Sequence, residues 1–170
     1  MVTSLTVTFD RVVSFVGQLA QAFTLTRISD GAAVTFTASQ TLINNGTQTQ
    51  VTLTGFTGAA TSNASLADGR YTLTVLASQV KDTTGNFFMA DNFVFADNGS
   101  IAGDQLFRLL GDSDGNRVVD ALDLLRLRTS FGKVSTDPGF LAYVDFDGSG
   151  AVDALDLLRF RLNFGTVLGP

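Results

Sequence analysis

The sequence predicts two domains. An all-β antiparallel sandwich over residues 1–98 is followed, after a linker at 99–104, by a small α-helical pair of loop–helix units over 105–170. Two observations carry that expectation. Up to residue 98, apolar residues alternate with Thr and other polar residues at a period of two, the pattern of half-buried strands. Beyond residue 105, DSDGNRVVDALDLLRLRTSFG from Asp112 recurs as DFDGSGAVDALDLLRFRLNFG from Asp145, an acidic loop leading each time into a leucine-rich helical pattern. At 170 residues the chain has room for two modest cores.

In chain order, strands are expected at 4–10, 22–28, 33–43, 47–56, 70–77 and 92–96. Leu5, Val7 and Phe9 share one face; so do Val34, Phe36 and Ala38, then Val51 and Leu53, then Tyr71, Leu73 and Val75. Turn signals separate them: Ser29-Asp30-Gly31, Asn44-Asn45-Gly46, Ala67-Asp68-Gly69 and Thr84-Gly85-Asn86. Asn45-Gly46 between two strand patterns is a hairpin cue. The sum is an antiparallel sandwich of immunoglobulin-like type. Phe15, Phe23, Phe56, Phe87, Phe88, Phe93 and Phe95 are expected in its core. Lys81-Asp82-Thr83-Thr84-Gly85-Asn86 reads more simply as a turn than as a third cation site. The Asn-x-Ser/Thr triplets at Asn45, Asn63 and Asn98 are glycan acceptors only in a eukaryotic secretory route.

The two acidic loops place oxygen-bearing residues at their first, third, fifth, ninth and twelfth positions. A hard cation needs that spacing from a tight twelve-residue loop, because alternate residues can point inward at one centre with oxygens at roughly 2.3–2.6 Å. The first loop offers Asp112, Asp114 and Asn116 by side chain and Val118 by its carbonyl. Asp120 acts directly or through water, and Asp123 closes the site. In the second loop the same places fall to Asp145, Asp147, Ser149, Ala151, Asp153 and Asp156. Eight of the chain's 16 acidic residues lie in these two segments, and calcium suits them better than magnesium, which wants a smaller octahedral shell. The competing reading is a pair of Asp/Gly turns with Asp120 or Asp153 as a helix cap, and two loops in register disfavour it. Helices are expected at 122–131 and 155–164. Two departures from the EF-hand pattern stand out: the closing residue is Asp in a chain without Glu, and Arg117 stands where the second loop has Gly150.

With the residues from Phe107 to Gly165 laid out, the chain resembles a dockerin domain, the tandem calcium-loop-plus-helix module of extracellular bacterial proteins, over about residues 105–167. That resemblance implies two loop–helix units around a pseudo-twofold axis, two bound Ca2+ and docking onto a cohesin, itself a β-sandwich. Many dockerins carry Ser-Thr before the closing Asp; here Ala121-Leu122 and Ala154-Leu155 take those places, so the partner's identity does not carry over. SLTVTFDRVV and LADGRYTLTVLASQVKDTTGN likewise resemble the immunoglobulin-like modules that precede dockerin segments in large secreted bacterial proteins.

The net charge of −5 is split between six Asp against four basic residues in the first 100 positions and ten against seven in the rest. No basic face for nucleic acid results. The chain has no His, Cys or Glu, which removes the commonest general bases and thiol nucleophiles, so no enzyme is expected. With no Trp and only Tyr71 and Tyr143, it lacks a sugar-stacking platform. No stretch approaches a membrane span. Met1-Val2-Thr3-Ser4-Leu5 shows no signal peptide, so the chain reads as a mature or excised fragment of an extracellular or cell-surface protein. The expected partners are a cohesin-like protein or further copies of the chain itself, joined head-to-tail into a filament. Arg126, Arg128, Arg159 and Arg161 are expected to frame an apolar docking strip. Whether the two halves dock on each other is left open.

Overall fold

Thr and Val alternate along the first half because a strand with one wet face wants β-branched residues on both sides of the pleat and hydroxyls outward. The computed structural model, which describes residues 1–84, 87–97 and 105–169, turns this alternation into β1 (Ser4–Phe9), β2 (Val13–Phe15), β3 (Phe23–Arg27), β4 (Ala33–Ile43), β5 (Gln48–Thr57), β6 (Thr61–Ser62), β7 (Ser65–Leu66), β8 (Gly69–Val75), β9 (Val80–Asp82) and β10 (Phe93–Ala96). A two-residue strand, β11 (Phe107–Arg108), precedes helices α1 (Ala121–Ser130) and α2 (Ala154–Asn163). The expected linker 99–104, the Asn98 triplet and the Gly85-Asn86 end of the 81–86 turn lie outside the described residues.

All pairings are antiparallel, in the order β1-β5-β4-β3-β8-β10, with β11 also on β8. Strand β4 serves both layers of the sandwich. Its start pairs with β3, its remainder with β5, and a register shift between Thr35 and Thr37 bends it from one layer to the other. One core results, from Val51 and Leu53 of β5, Phe23 and Leu25 of β3, and Tyr71, Leu73 and Val75 of β8, with Leu5, Val7 and Phe9 packed against it. The β4–β5 turn has Asn44, Asn45 and Gly46 all at positive φ (49°, 56° and 81°), as the Asn-Gly cue requires. The buried Tyr71 hydroxyl donates to the carbonyls of Ala60 (3.0 Å) and Ala67 (2.7 Å), tying the β6–β7 hairpin to β8.

The six expected strands are all present, each within one or two residues at its ends. Strands β2, β6, β7 and β9 have only two or three residues each, too short for a period to register in sequence. The phenylalanines divide. Phe23 and Phe56 are buried, and Phe15 and Phe95 pack against the core. Phe87, Phe88 and Phe93 are instead 75%, 52% and 53% exposed, which corrects their expected place in the core. The β2–β9 ribbon is only two strands wide, so aromatics beside it have no facing layer, and Phe93 opens the edge strand β10. Asp82 accepts from the Thr84 amide at 2.6 Å and pairs with Arg11 at 3.0 Å, consistent with a turn.

The halves dock. Asp97 donates its amide to the Tyr71 carbonyl (3.0 Å), and the Tyr71 amide donates to the Leu106 carbonyl (2.8 Å). Phe107 and Arg108 then pair with Arg70 and Gly69. Strand β8 therefore hydrogen-bonds both the last strand of the sandwich and the entry to the C-terminal half. Leu106 belongs to the sandwich core, while Phe107 packs against the second. Asp68 adds an ion pair to Arg108 (2.7 Å) and accepts from the Leu110 amide (2.8 Å).

Tyr71→Phe keeps the ring's packing but removes the donor to two carbonyls. It should lower sandwich stability by about 1–3 kcal/mol, read as an earlier thermal unfolding transition of β-sheet circular dichroism.

Candidate metal centre

Each acidic loop opens into its helix through the same device. Asp120 and Asp153 take extended backbone, cap α1 and α2, and accept from the amides of Leu122 and Leu155, both at 2.8 Å. Three residues on, Asp123 and Asp156 return a carboxylate oxygen to the cap's own amide at 2.8 and 2.9 Å, completing a capping box. The helices consequently begin at Ala121 and Ala154, one residue before the expected 122 and 155.

The two units clamp each other. The amide of Gly132, after α1, donates to the Val152 carbonyl (2.8 Å), and that of Gly165, after α2, donates to the Val119 carbonyl (2.8 Å). In return Val152 donates to Lys133 (2.9 Å) and Val119 to Thr166 (2.9 Å). Every partner has its counterpart one repeat away, so the pairing has a local twofold axis. Val119, Val152, Leu127, Val144, Phe146 and Phe160 fill the core between the units.

This arrangement converges carboxylates. Ligand oxygens of Asp112, Asp114 and Asp123 lie within 4.8 Å of one another, as do those of Asp145, Asp147 and Asp156. Backbone amides hold them there: Asp112 accepts from Gly115 (2.8 Å) and Arg117 (2.9 Å), Asp145 from Gly148 and Gly150 (both 2.9 Å). Asp123 takes the Ser113 amide and hydroxyl (2.7 and 2.8 Å), and Asp156 the Phe146 amide (2.7 Å). Asn116 and Ser149, at the fifth place, each accept from the amide of the seventh residue, Val118 (2.8 Å) or Ala151 (3.3 Å). Asp120 and Asp153 stand outside the clusters, each with one oxygen occupied by its helix. The donor set is all oxygen and mostly anionic, which fits a hard divalent cation rather than a thiophilic metal.

Burial raises the carboxyl pKa of Asp112 and of Asp156 above the usual carboxylate range, against the pull of their amide bonds. Asp147 is shifted down, chiefly by hydrogen bonding from Ser149, with Arg159 at 3.9 Å adding to it.

Arg117 has φ 72°, matching Gly150 at 82°. A non-glycine residue there costs about 1–2 kcal/mol. Its guanidinium is buried, pairs with Asp97 of the sandwich and lies 4.5 Å over the Phe107 ring. Nothing in the sequence marks Asp97 beyond an acid following a strand. Arg126 and Arg159 also depart from expectation. They turn back on the loops, Arg126 toward Ser113 (3.3 Å) and Asp114 (4.0 Å), Arg159 to the Phe146 carbonyl (2.8 Å), and stay half-exposed, while Arg128 and Arg161 are exposed. The outward faces are instead leucine: Leu122 and Leu125 on α1, Leu155, Leu158 and Leu162 on α2.

Comparison with known proteins matches residues 110–161 to the Dockerin type I domain. The loop–helix pair is a dockerin domain. No curated protein matches the chain. Among solved structures it is similar to two type II cohesin–X–dockerin complexes from Acetivibrio cellulolyticus, an N-terminal and a C-terminal interface mutant. Each is 16% identical over 97% of this chain and 97% of that one, with a TM-score of 0.33. Dockerin domains bind calcium, and this dockerin's two acidic clusters can hold ions.

The raised carboxyls give the metal-free dockerin a pH signature. A carboxyl whose folded pKa lies above its unfolded value binds more protons folded than unfolded, so stability falls as pH rises through that window. Melting of the chelated chain should therefore move to lower temperature as pH climbs from the unfolded carboxylate pKa of 3.8 through the raised values of Asp112 and Asp156.

Proposed function

We propose that this chain is a non-catalytic, extracellular calcium-binding protein whose dockerin half docks onto a cohesin-like β-sandwich when its loops are filled. Two Ca2+ are held, one by Asp112, Asp114, Asn116, the Val118 carbonyl and Asp123, with Asp120 reached through water. The other is held by Asp145, Asp147, Ser149, the Ala151 carbonyl and Asp156, with Asp153 in the same indirect role. The observation that carries this reading is the direct adjacency, in both repeats, of a closing carboxylate to an exposed leucine. Asp123 is followed along α1 by a core Leu124 and Leu127, while Leu122 and Leu125 face out; Asp156 stands in the same relation to Leu155 and Leu158. Filling the cage fixes the first turn of the helix, and that turn presents the apolar strip a partner covers.

The cage and the capping box share the closing Asp, and one substitution separates them. Asp156→Asn keeps one acceptor for the Phe146 or the Asp153 amide, sets its NH2 against the other, and withdraws a charge whose burial is unfavourable. The metal-free fold should lose about 1–3 kcal/mol, while calorimetry shows calcium stoichiometry falling from two to one.

A second reading is favoured by the exposed aromatics. Phe87 and Phe88 border a groove of about 380 Å³ on the sandwich, also lined by Phe9, Val13, Val80 and Met89. A second copy's leucine strip seated there makes a heterologous, non-closing contact, which grows a filament.

Size-exclusion chromatography of the pure chain, with calcium and with chelator, separates the two. A monomer in both conditions that shifts only on adding a cohesin supports docking to a foreign partner; calcium-dependent polymers of the pure chain support self-assembly. Leu122→Asp with Leu155→Asp should weaken whichever contact forms by about 30-fold or more without changing calcium uptake.

A further inference from the structure

The two loops share their hydrogen bonds but differ at the sixth place. In both, the amide of that residue donates to the second oxygen of the opening carboxylate, Arg117 to Asp112 and Gly150 to Asp145, each at 2.9 Å. In both, its carbonyl accepts from the segment after the opposite helix, Arg117 from Leu168 (2.8 Å) and Gly150 from Ser135 (2.7 Å). The sixth residue therefore aims the first ligand of the cage and holds the loop to its neighbour. Glycine keeps the necessary left-handed backbone freely. Arginine keeps it at a cost in backbone strain, which contacts outside the loop can offset.

The offsetting contact comes from the sandwich. The buried Arg117 guanidinium donates to Asp97 Oδ1 and covers the Phe107 ring. Asp97 directly follows β10, is itself buried, and is fixed through its amide to the Tyr71 carbonyl. Arg70 of β8 lies 3.6 Å from its other oxygen and donates to its carbonyl at 2.9 Å. The first loop thus reaches across the domain junction by a side chain that the second loop, with Gly150, does not have.

We propose that Arg117 makes the first loop a calcium-operated latch between the two halves. Asp97 holds Arg117, and through its backbone the Asp112 carboxylate, in the arrangement that receives the ion. A filled loop in turn holds the guanidinium against Asp97 and draws the dockerin onto the sandwich. The coupling is reciprocal by linkage: whatever the sandwich adds to calcium affinity at the first loop, calcium adds to the attachment of the halves. Among the described residues the second loop has no side-chain hydrogen bond or ion pair to the sandwich, whose Met1 only lies beside it at Gly148. Its filling does not depend on Asp97. This inference rests on the calcium reading above.

The test uses the full chain in two single-site backgrounds. Asp147→Ala leaves the first loop to bind, and Asp114→Ala leaves the second, each titrated calorimetrically with calcium chloride. Adding Asp97→Asn should weaken calcium binding about tenfold in the first background and less than about twofold in the second. With Arg117→Gly also present, Asp97→Asn should have no further effect on the first loop. Hydrogen exchange gives an independent readout. Calcium should protect the amides of β10 and β11 in the parent chain and no longer do so in Arg117→Gly. Equal weakening at both loops, no weakening at the first, or Arg117→Gly retaining its sensitivity to Asp97 overturns the latch while leaving the calcium sites standing. If neither background takes up calcium, the calcium reading fails and the latch with it. Should Asp97→Asn not fold, the exchange measurement on Arg117→Gly decides alone, retained protection of β11 overturning the proposal.

Discussion

Like charges crowded into a small space set the terms for the C-terminal half. Two unit charges about 4.8 Å apart, the span of each carboxylate cluster, repel by on the order of 3 kcal/mol at the effective dielectric of a protein surface. A hydrogen bond to a charged group returns about 1.5–3 kcal/mol, so the donors that hold these carboxylates in place offset much of that repulsion while leaving the negative charge where it is. A proton or a cation removes it. Burial, and after it the neighbouring carboxylates, raises the pKa of Asp112 and Asp156 and eases protonation there, and a hard divalent ion is the other answer. Almost everything else in this half follows from keeping those oxygens together: capping boxes that draw the closing Asp inward, glycines and an arginine at positive φ, and the mutual clamp of Val119 and Val152.

Much of this could be read from residues alone, for reasons particular to each element. The strands from Ser4 and Ala33 onward are long enough for alternation to show, and Asn45-Gly46 names its own turn. The acidic loops announce themselves because a twelve-residue cage fixes which positions carry oxygen, and duplication removes coincidence. Hydrophobicity without context misled at Phe87, Phe88 and Phe93, since burial depends on a facing layer that local sequence does not describe. Two of the four arginines take a course that spacing alone does not show. Arg126 and Arg159 sit at helical spacing that permits an outward course, but the carboxylates and carbonyls of their own loops were nearer. Helix starts were displaced by one residue because Asp120 and Asp153 cap, a role that shifts the boundary to Ala121 and Ala154.

What sequence could not supply was the junction. Arg117 was marked as a misfit in its loop, and the misfit has an explanation only once Asp97 and Phe107 are placed beside it. Backbone strain of about 1–2 kcal/mol is sustained because breaking a buried ion pair by removing one partner costs more, about 3–5 kcal/mol. The same residue thus reads as a defect within the repeat and as a contact within the whole molecule.

The sharing of β8 has a mechanical consequence. Residues 93–97 and 106–108 lie along one strand, antiparallel to it. Tension on the dockerin directed away from the sandwich therefore acts along that strand axis and loads its hydrogen bonds in shear. Bonds loaded this way stretch together instead of parting one after another, so a force applied along that axis passes into the body of the sheet.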